Sequence, residues 1–106
     1  MDLKKITETY FKFFEEKRIE DLSNLYSDEI SLKDWELDLK GKKEVLKANA
    51  SLFELEFSVV VYSIYKSENK TFNEIAIFIN NNVLKIIDVI SFDEQGLICD
   101  IKAYKM

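Results

Sequence analysis

The chain contains no histidine and no proline, one cysteine, two glycines and no long apolar run. Without histidine there is no Ser–His or Cys–His nucleophile system and no metal site built on imidazole. Cys99 stands alone, so no disulfide can close within the chain, and a reducing compartment, the cytoplasm, is the expected setting. Basic clusters are also missing. Beyond short pairs such as Lys42-Lys43 the lysines are dispersed, and the net charge is −5. Nucleic-acid binding needs a positive face to neutralise phosphates, so no nucleic-acid partner is expected. The opening MDLKKITETYFKFF is amphipathic and contains acids, unlike a signal peptide. No uninterrupted apolar run is near the length of a membrane span, so no membrane partner is expected either.

What is present argues for one folded domain over residues 1–106, with 47% hydrophobic and 13% aromatic residues. Leu3, Ile6, Tyr10, Phe13 and Phe14 recur at helical spacing, opposite Lys4, Lys5, Glu8, Lys12 and Glu15. This predicts a surface helix over about residues 2–16, with Tyr10 near the middle of its buried arc. Ile19, Leu22, Leu25 and Tyr26 continue as a second, shorter helix closed by Asp28-Glu29. Ile30 to Asp34 then alternates as a strand, and Trp35, Leu37 and Leu39 resume the alternation one residue out of phase. That slip predicts a bend near Asp34. Gly41 opens a third helix, KKEVLKANASLFEL, whose inner side is Val45, Leu46, Asn49, Ala50 and Phe53.

From Glu56 onward only strands are expected: 56–66, 71–80, 83–92 and 97–105. The separators at 67–70, 80–82 and 93–96 are hairpin turns, so the four strands form an antiparallel meander. The layout is α+β, with three helices packed on one side of a strongly curved, mostly antiparallel sheet. The strands are apolar on both faces, Val59 and Val61 against Val60 and Tyr62, and Ile75 and Ile77 against Ala76 and Phe78. A sheet with one wet face alternates more cleanly. The helices cover one face, so the other is expected to bury itself in a homodimer.

One acid breaks the apolar pattern. Strand alternation puts Ile86, Asp88, Ile90 and Phe92 on one face. An idle carboxylate there is costly, so Asp88 should be neutral, partnered or employed. Cys99 alternates with Leu97 and Ile101 and reads as a small buried hydrophobe, while Asp100 is expected to pair with a lysine across the strands. Asn73 and Glu74 are left open as rim residues.

The first helix, Leu22–Tyr26, the pair Asp28-Glu29, Gly41 and the ending IDVISFDEQGLICDIKAY occur in an order that resembles the nuclear transport factor 2-like superfamily, in its SnoaL-like and ketosteroid-isomerase-like branch. The resemblance covers nearly the whole chain, and IDVISFDEQG is its most specific piece. It implies a cone-shaped fold with a pocket between the first helix and the sheet. Steroid isomerases of this fold carry a tyrosine on the first helix, a general-base aspartate after the first strand and a protonated aspartate on a late strand. Tyr10, Asp34 and Asp88 stand in those places here. Asp34 would move a proton between carbons of a ketone, while Tyr10 and protonated Asp88 would donate to the enolate oxygen. Trp35, Phe14, Ile86 and Ile90 would line the substrate site. No cofactor or metal is implied, and the partner is an apolar small molecule. Trp35 departs from the proline that steroid isomerases commonly carry after the base. The alternatives are a non-catalytic dimeric ligand-binding module and a SnoaL-type polyketide cyclase-like protein, although such cyclases usually combine an acid with a histidine. Limonene-epoxide-hydrolase-like members pair an arginine with two acids, and the single arginine here, Arg18, lies near the end of the first helix.

Overall fold

A computed structural model describes residues 1–106. Three helices pack on a six-stranded, mostly antiparallel sheet, an α+β architecture. Helix α1 spans Leu3–Glu15 and begins where the Asp2 carboxylate accepts from the Lys5 N–H. Helix α2 is Ile19–Leu25, and strand β1 follows at once as Tyr26–Lys33. A short β2, Asp38–Lys40, leads to α3, Lys42–Leu52, and then come β3 Phe57–Ser67, β4 Lys70–Ile79, β5 Asn82–Phe92 and β6 Ile98–Lys105.

The sheet order is β2-β1-β6-β5-β4-β3. Strands β3 to β6 form the expected antiparallel meander, while β1 lies parallel to β6. That pairing brings the first strand beside the last and places the turn after β1 at the end of β6. The β4–β5 hairpin turns on Asn80-Asn81, whose φ angles of 52° and 63° suit a two-residue turn with both central residues left-handed.

The core lies between the helices and the inner sheet face. Leu3, Phe11, Leu22, Ile30, Val45, Ile75, Ile98 and Ile101 are all buried in it. No helix is long and apolar enough to cross a membrane.

Several local expectations are corrected. Tyr26 is not the end of a helix: it opens β1, because its backbone joins the sheet beside Ile98 and its side chain is needed inside. The inward face of α1 turns on Thr7 and Phe11 as well as Tyr10, while Ile6, Phe13 and Phe14 are only partly covered. On α3 the inner residues include Ala48 and Leu52, whereas Ala50 faces water. Cys99 is half-buried, with Sγ 3.5 Å from the Ser91 carbonyl, because a register shift after Ser91 breaks the alternation on β6. The same shift turns Ile98 inward and Asp100 outward. Asp100 accepts from Ser31 Oγ at 2.5 Å and pairs with Lys102 at 3.2 Å on its own strand rather than across strands.

Candidate functional site

The curved sheet and the helices α1 and α3 enclose a cavity of about 240 Å³. Its wall is apolar except for Asp34, Asn49, Asp88 and the hydroxyl of Tyr10. No lysine or arginine reaches it. Tyr10, Asp34 and Asp88 come from three elements distant in sequence and border the same hollow, together with Trp35, Phe14 and Ile86. Ile90 does not. It is fully buried one step further along β5, beside Thr71 of β4, in the closed end of the core.

Tyr10 projects from α1 and is 3% exposed, its ring held edge-on to Phe11 at 5.0 Å. Burial holds its hydroxyl well above the ordinary tyrosine range, and the adjacent Tyr26 and Asp88 push it further the same way. It is therefore a proton donor at any physiological pH. Tyr26 lies behind it, ring centroids 6.5 Å apart, and donates its own O–H to Asn49 Oδ1 at 2.8 Å. Burial raises the Tyr26 hydroxyl as well.

Asp88 sits between Ile86 and Ile90 on the inner face of β5 and is 7% exposed. Burial is the main cause of its shift, and the charge of Asp34 adds to it, so its pKa is pushed up to about 7. No cation lies near enough to offset this: its carboxyl is in no ion pair.

Asp34 occupies the turn between β1 and β2. The expected bend is a tight reversal in which its N–H donates to the Leu37 carbonyl at 2.9 Å. Its Oδ1 accepts from the N–H groups of Glu36 and Leu37 at 2.7 and 2.6 Å. One carboxylate oxygen is thus held by the turn, and Oδ2 is left without a protein partner. Trp35 and Leu37, 40% and 39% exposed, flank the cavity mouth.

Asn73 is no rim residue. It is completely buried and pairs with Asp88 across β4 and β5. Its Nδ2 donates to the Asp88 carbonyl and to Thr71 Oγ1, both at 3.1 Å, and Thr71 in turn meets Thr7 of α1 at 2.9 Å. Both amide protons are thereby used, and Asn73 Oδ1 is buried with no donor. Glu74, one residue on, is exposed on the outer face. The roles of Asn73, Asn49 and Tyr26 were missed from sequence. A polar residue in the apolar stripe of α3 was the available signal for Asn49.

No protein-family model and no curated protein matches the sequence. Solved structures do match the fold. An NTF2-like protein of unknown function from Cytophaga hutchinsonii superposes with a TM-score of 0.88 over 100% of this chain and 91% of that one, at 9% identity. A protein described as a "putative ketosteroid isomerase" from Kribbella flavida gives 0.90 over 98% and 77%, at 10% identity. An NTF-2 like protein of unknown function from Burkholderia xenovorans gives 0.85 over 97% and 81%, at 11% identity. The chain has the nuclear transport factor 2-like fold.

Proposed function

We propose that the cavity binds an apolar ketone and catalyses proton transfer through an enolate, as in a ketosteroid-isomerase-like reaction. The observation that carries this is the convergence of Tyr10, Asp34 and Asp88 on one apolar hollow. Asp34 Oδ2 removes a proton from the carbon beside the carbonyl and returns it to another carbon of the same substrate. Negative charge moves to the carbonyl oxygen, where Tyr10 O–H and protonated Asp88 donate to it. Burial without a cation favours the protonated form of both donors, Tyr10 throughout the physiological range and Asp88 below about pH 7. The apolar wall excludes water that would weaken these bonds.

The test is an isomerisation assay with a β,γ-unsaturated ketone. Asp34→Asn retains an oxygen for the turn but removes the base, and it should cost about 10²–10⁴ in rate. Equal rates for the variant and the parent would overturn the mechanism. Substituted phenols, which mimic the enolate, should raise the melting temperature of the protein.

A second reading is a ligand-binding module without turnover. It is favoured by the two turn hydrogen bonds that already occupy Asp34 Oδ1. Phenol binding with no isomerisation of any ketone would select it.

The outer sheet face is proposed to pair with a second copy of the chain. Tyr65, Phe72, Phe78, Val83 and Tyr104 are 39–69% exposed on β3 to β6, with Val60 beside them at 39%. Side chains so exposed and so close together favour burial against a partner.

A further inference from the structure

Outside the cavity mouth lies an open groove of about 490 Å³, lined by Lys33, Lys102 and Lys105 with Asp34, Trp35, Ala103 and Tyr104. Asp34, Trp35 and Ala103 belong to both the groove and the cavity, so the two form one continuous surface. Three of the four charged side chains in the groove are lysines, in a chain whose net charge is −5. The parallel pairing of β1 with β6 sets Lys33 directly beside Lys102. Like charges on facing strand positions repel, so this arrangement is unfavourable unless something offsets it. Asp100 offsets part of it through its 3.2 Å contact with Lys102, and Asp38 faces Lys33 on β2 without forming an ion pair. Lys33 and Lys105 have no carboxylate within 4.0 Å. Lys105 is held in place by Trp35 itself, its ammonium 5.3 Å from the centre of the indole ring.

The inner surface has the opposite character. It holds two carboxyls and no cation, so an anionic group cannot rest there except as an enolate between protonated donors. At about 240 Å³ it is also smaller than the roughly 300–1,000 Å³ of common small-molecule pockets. It suits a compact ring system rather than a large skeleton.

Resting on the proposed ketone site, we infer that the substrate is a compact apolar carbonyl compound bearing an anionic arm, a carboxylate or a phosphate, which lies on Lys33, Lys102 and Lys105 while the carbonyl enters the cavity. The charges fix the orientation: the arm is attracted outside and repelled inside. Each exposed charge contact of this kind is worth about two- to fivefold in affinity, so two or three together give roughly tenfold or more.

The test compares three enolate mimics by calorimetric titration at low salt: 2-naphthol, 6-hydroxy-2-naphthoic acid and 6-hydroxy-2-naphthyl phosphate. The proposal expects an anionic mimic to bind roughly tenfold more tightly than 2-naphthol, and the advantage to shrink in about 0.5 M salt. A gain for both acids marks recognition of charge alone, and a gain confined to the phosphate assigns a phosphate arm. The combined variant Lys33→Gln, Lys102→Gln, Lys105→Gln should erase the advantage and leave 2-naphthol affinity within about twofold. Equal binding of all three mimics, or an advantage that survives in the triple variant, overturns the basic groove while the cavity stands. Failure of every mimic, 2-naphthol included, overturns the ketone site and the groove with it.

Discussion

Asp88 is enclosed by Ile86, Ile90 and the aromatic side of α1, and its charged neighbour is another carboxylate, Asp34. Folding lifts its pKa from the ordinary 3.8 to about 7, so between those values the native state holds a proton that the unfolded chain has lost. Stability therefore falls as pH rises through this window, and above about 7 the whole penalty is present, on the order of 4 kcal/mol. Asp88→Asn removes the ionisation. In urea unfolding, the stability of the parent relative to this variant should decline from pH 4.5 to pH 8, and a constant difference would contradict the burial argument. The donor role has the same pH limit. Phenol affinity should drop above about pH 7, as Asp88 loses its proton. Removing the charge of Asp34 should move that drop to lower pH, because the Asp34 charge is the second cause that holds the proton on Asp88. A phenol affinity that stays flat from pH 6 to pH 8 would remove Asp88 from the oxyanion site.

At the scale of elements, short connections decide where the acids point. The turn at Asp34 reverses β1 into β2 and is held by the aspartate's own carboxylate, so a catalytic candidate is also a structural part. Asp34→Asn should leave stability within about 0.5 kcal/mol, because the amide oxygen still accepts both N–H groups, whereas Asp34→Ala should cost about 1 kcal/mol or more. Denaturant titration separates the two. A different turn offers a gain: Asn80 and Asn81 both have positive φ, a conformation that glycine adopts without a Cβ penalty. Asn81→Gly should stabilise the hairpin by up to about 1 kcal/mol, measured as a higher urea midpoint with unchanged slope. A lower midpoint would show that the asparagine side chain contributes more than the backbone strain costs.

For the molecule as a whole, the sheet has one face inside and one outside, and both carry large apolar side chains. Tyr65 at 69% exposure and Tyr104 at 55% are far from burial on the outer face. If that face is covered by a second copy, the mass in solution at micromolar concentration should be that of a dimer. Phe72→Glu, near the start of β4 and paired with Tyr65 on β3, should then give a monomer with the cavity intact. A parent protein that sediments as a monomer across that range would discard the proposed pairing. The cavity lies on the opposite, helix-covered side, so the affinity for 2-naphthol, which has no arm, should be nearly independent of the change.

The elements themselves were legible in the residues. Apolar side chains repeat at 3.6 in the helices and at 2 in the strands, and these periods follow from backbone geometry alone. The same alternation exposed Asp88 as an acid in an apolar row, since one wrong residue in a local pattern is visible without knowing its neighbours. What lay beyond reach depended on partners distant in the chain. Tyr26 resembled a helical residue until β6 drew it into the sheet, because strand pairing overrides local periodicity. Asn73 stood at an inward position whose meaning came only from Asp88 beside it on β5 and Thr7 above it on α1. Ile90 shared the parity of Ile86 yet missed the cavity, since parity says which face a side chain takes and nothing of how deep along that face the hollow extends. The meeting of Tyr10, Asp34 and Asp88 is likewise a property of the assembled sheet and not of any segment: the parallel contact of the first strand with the last carries the Asp34 turn to the mouth that Asp88 lines from within.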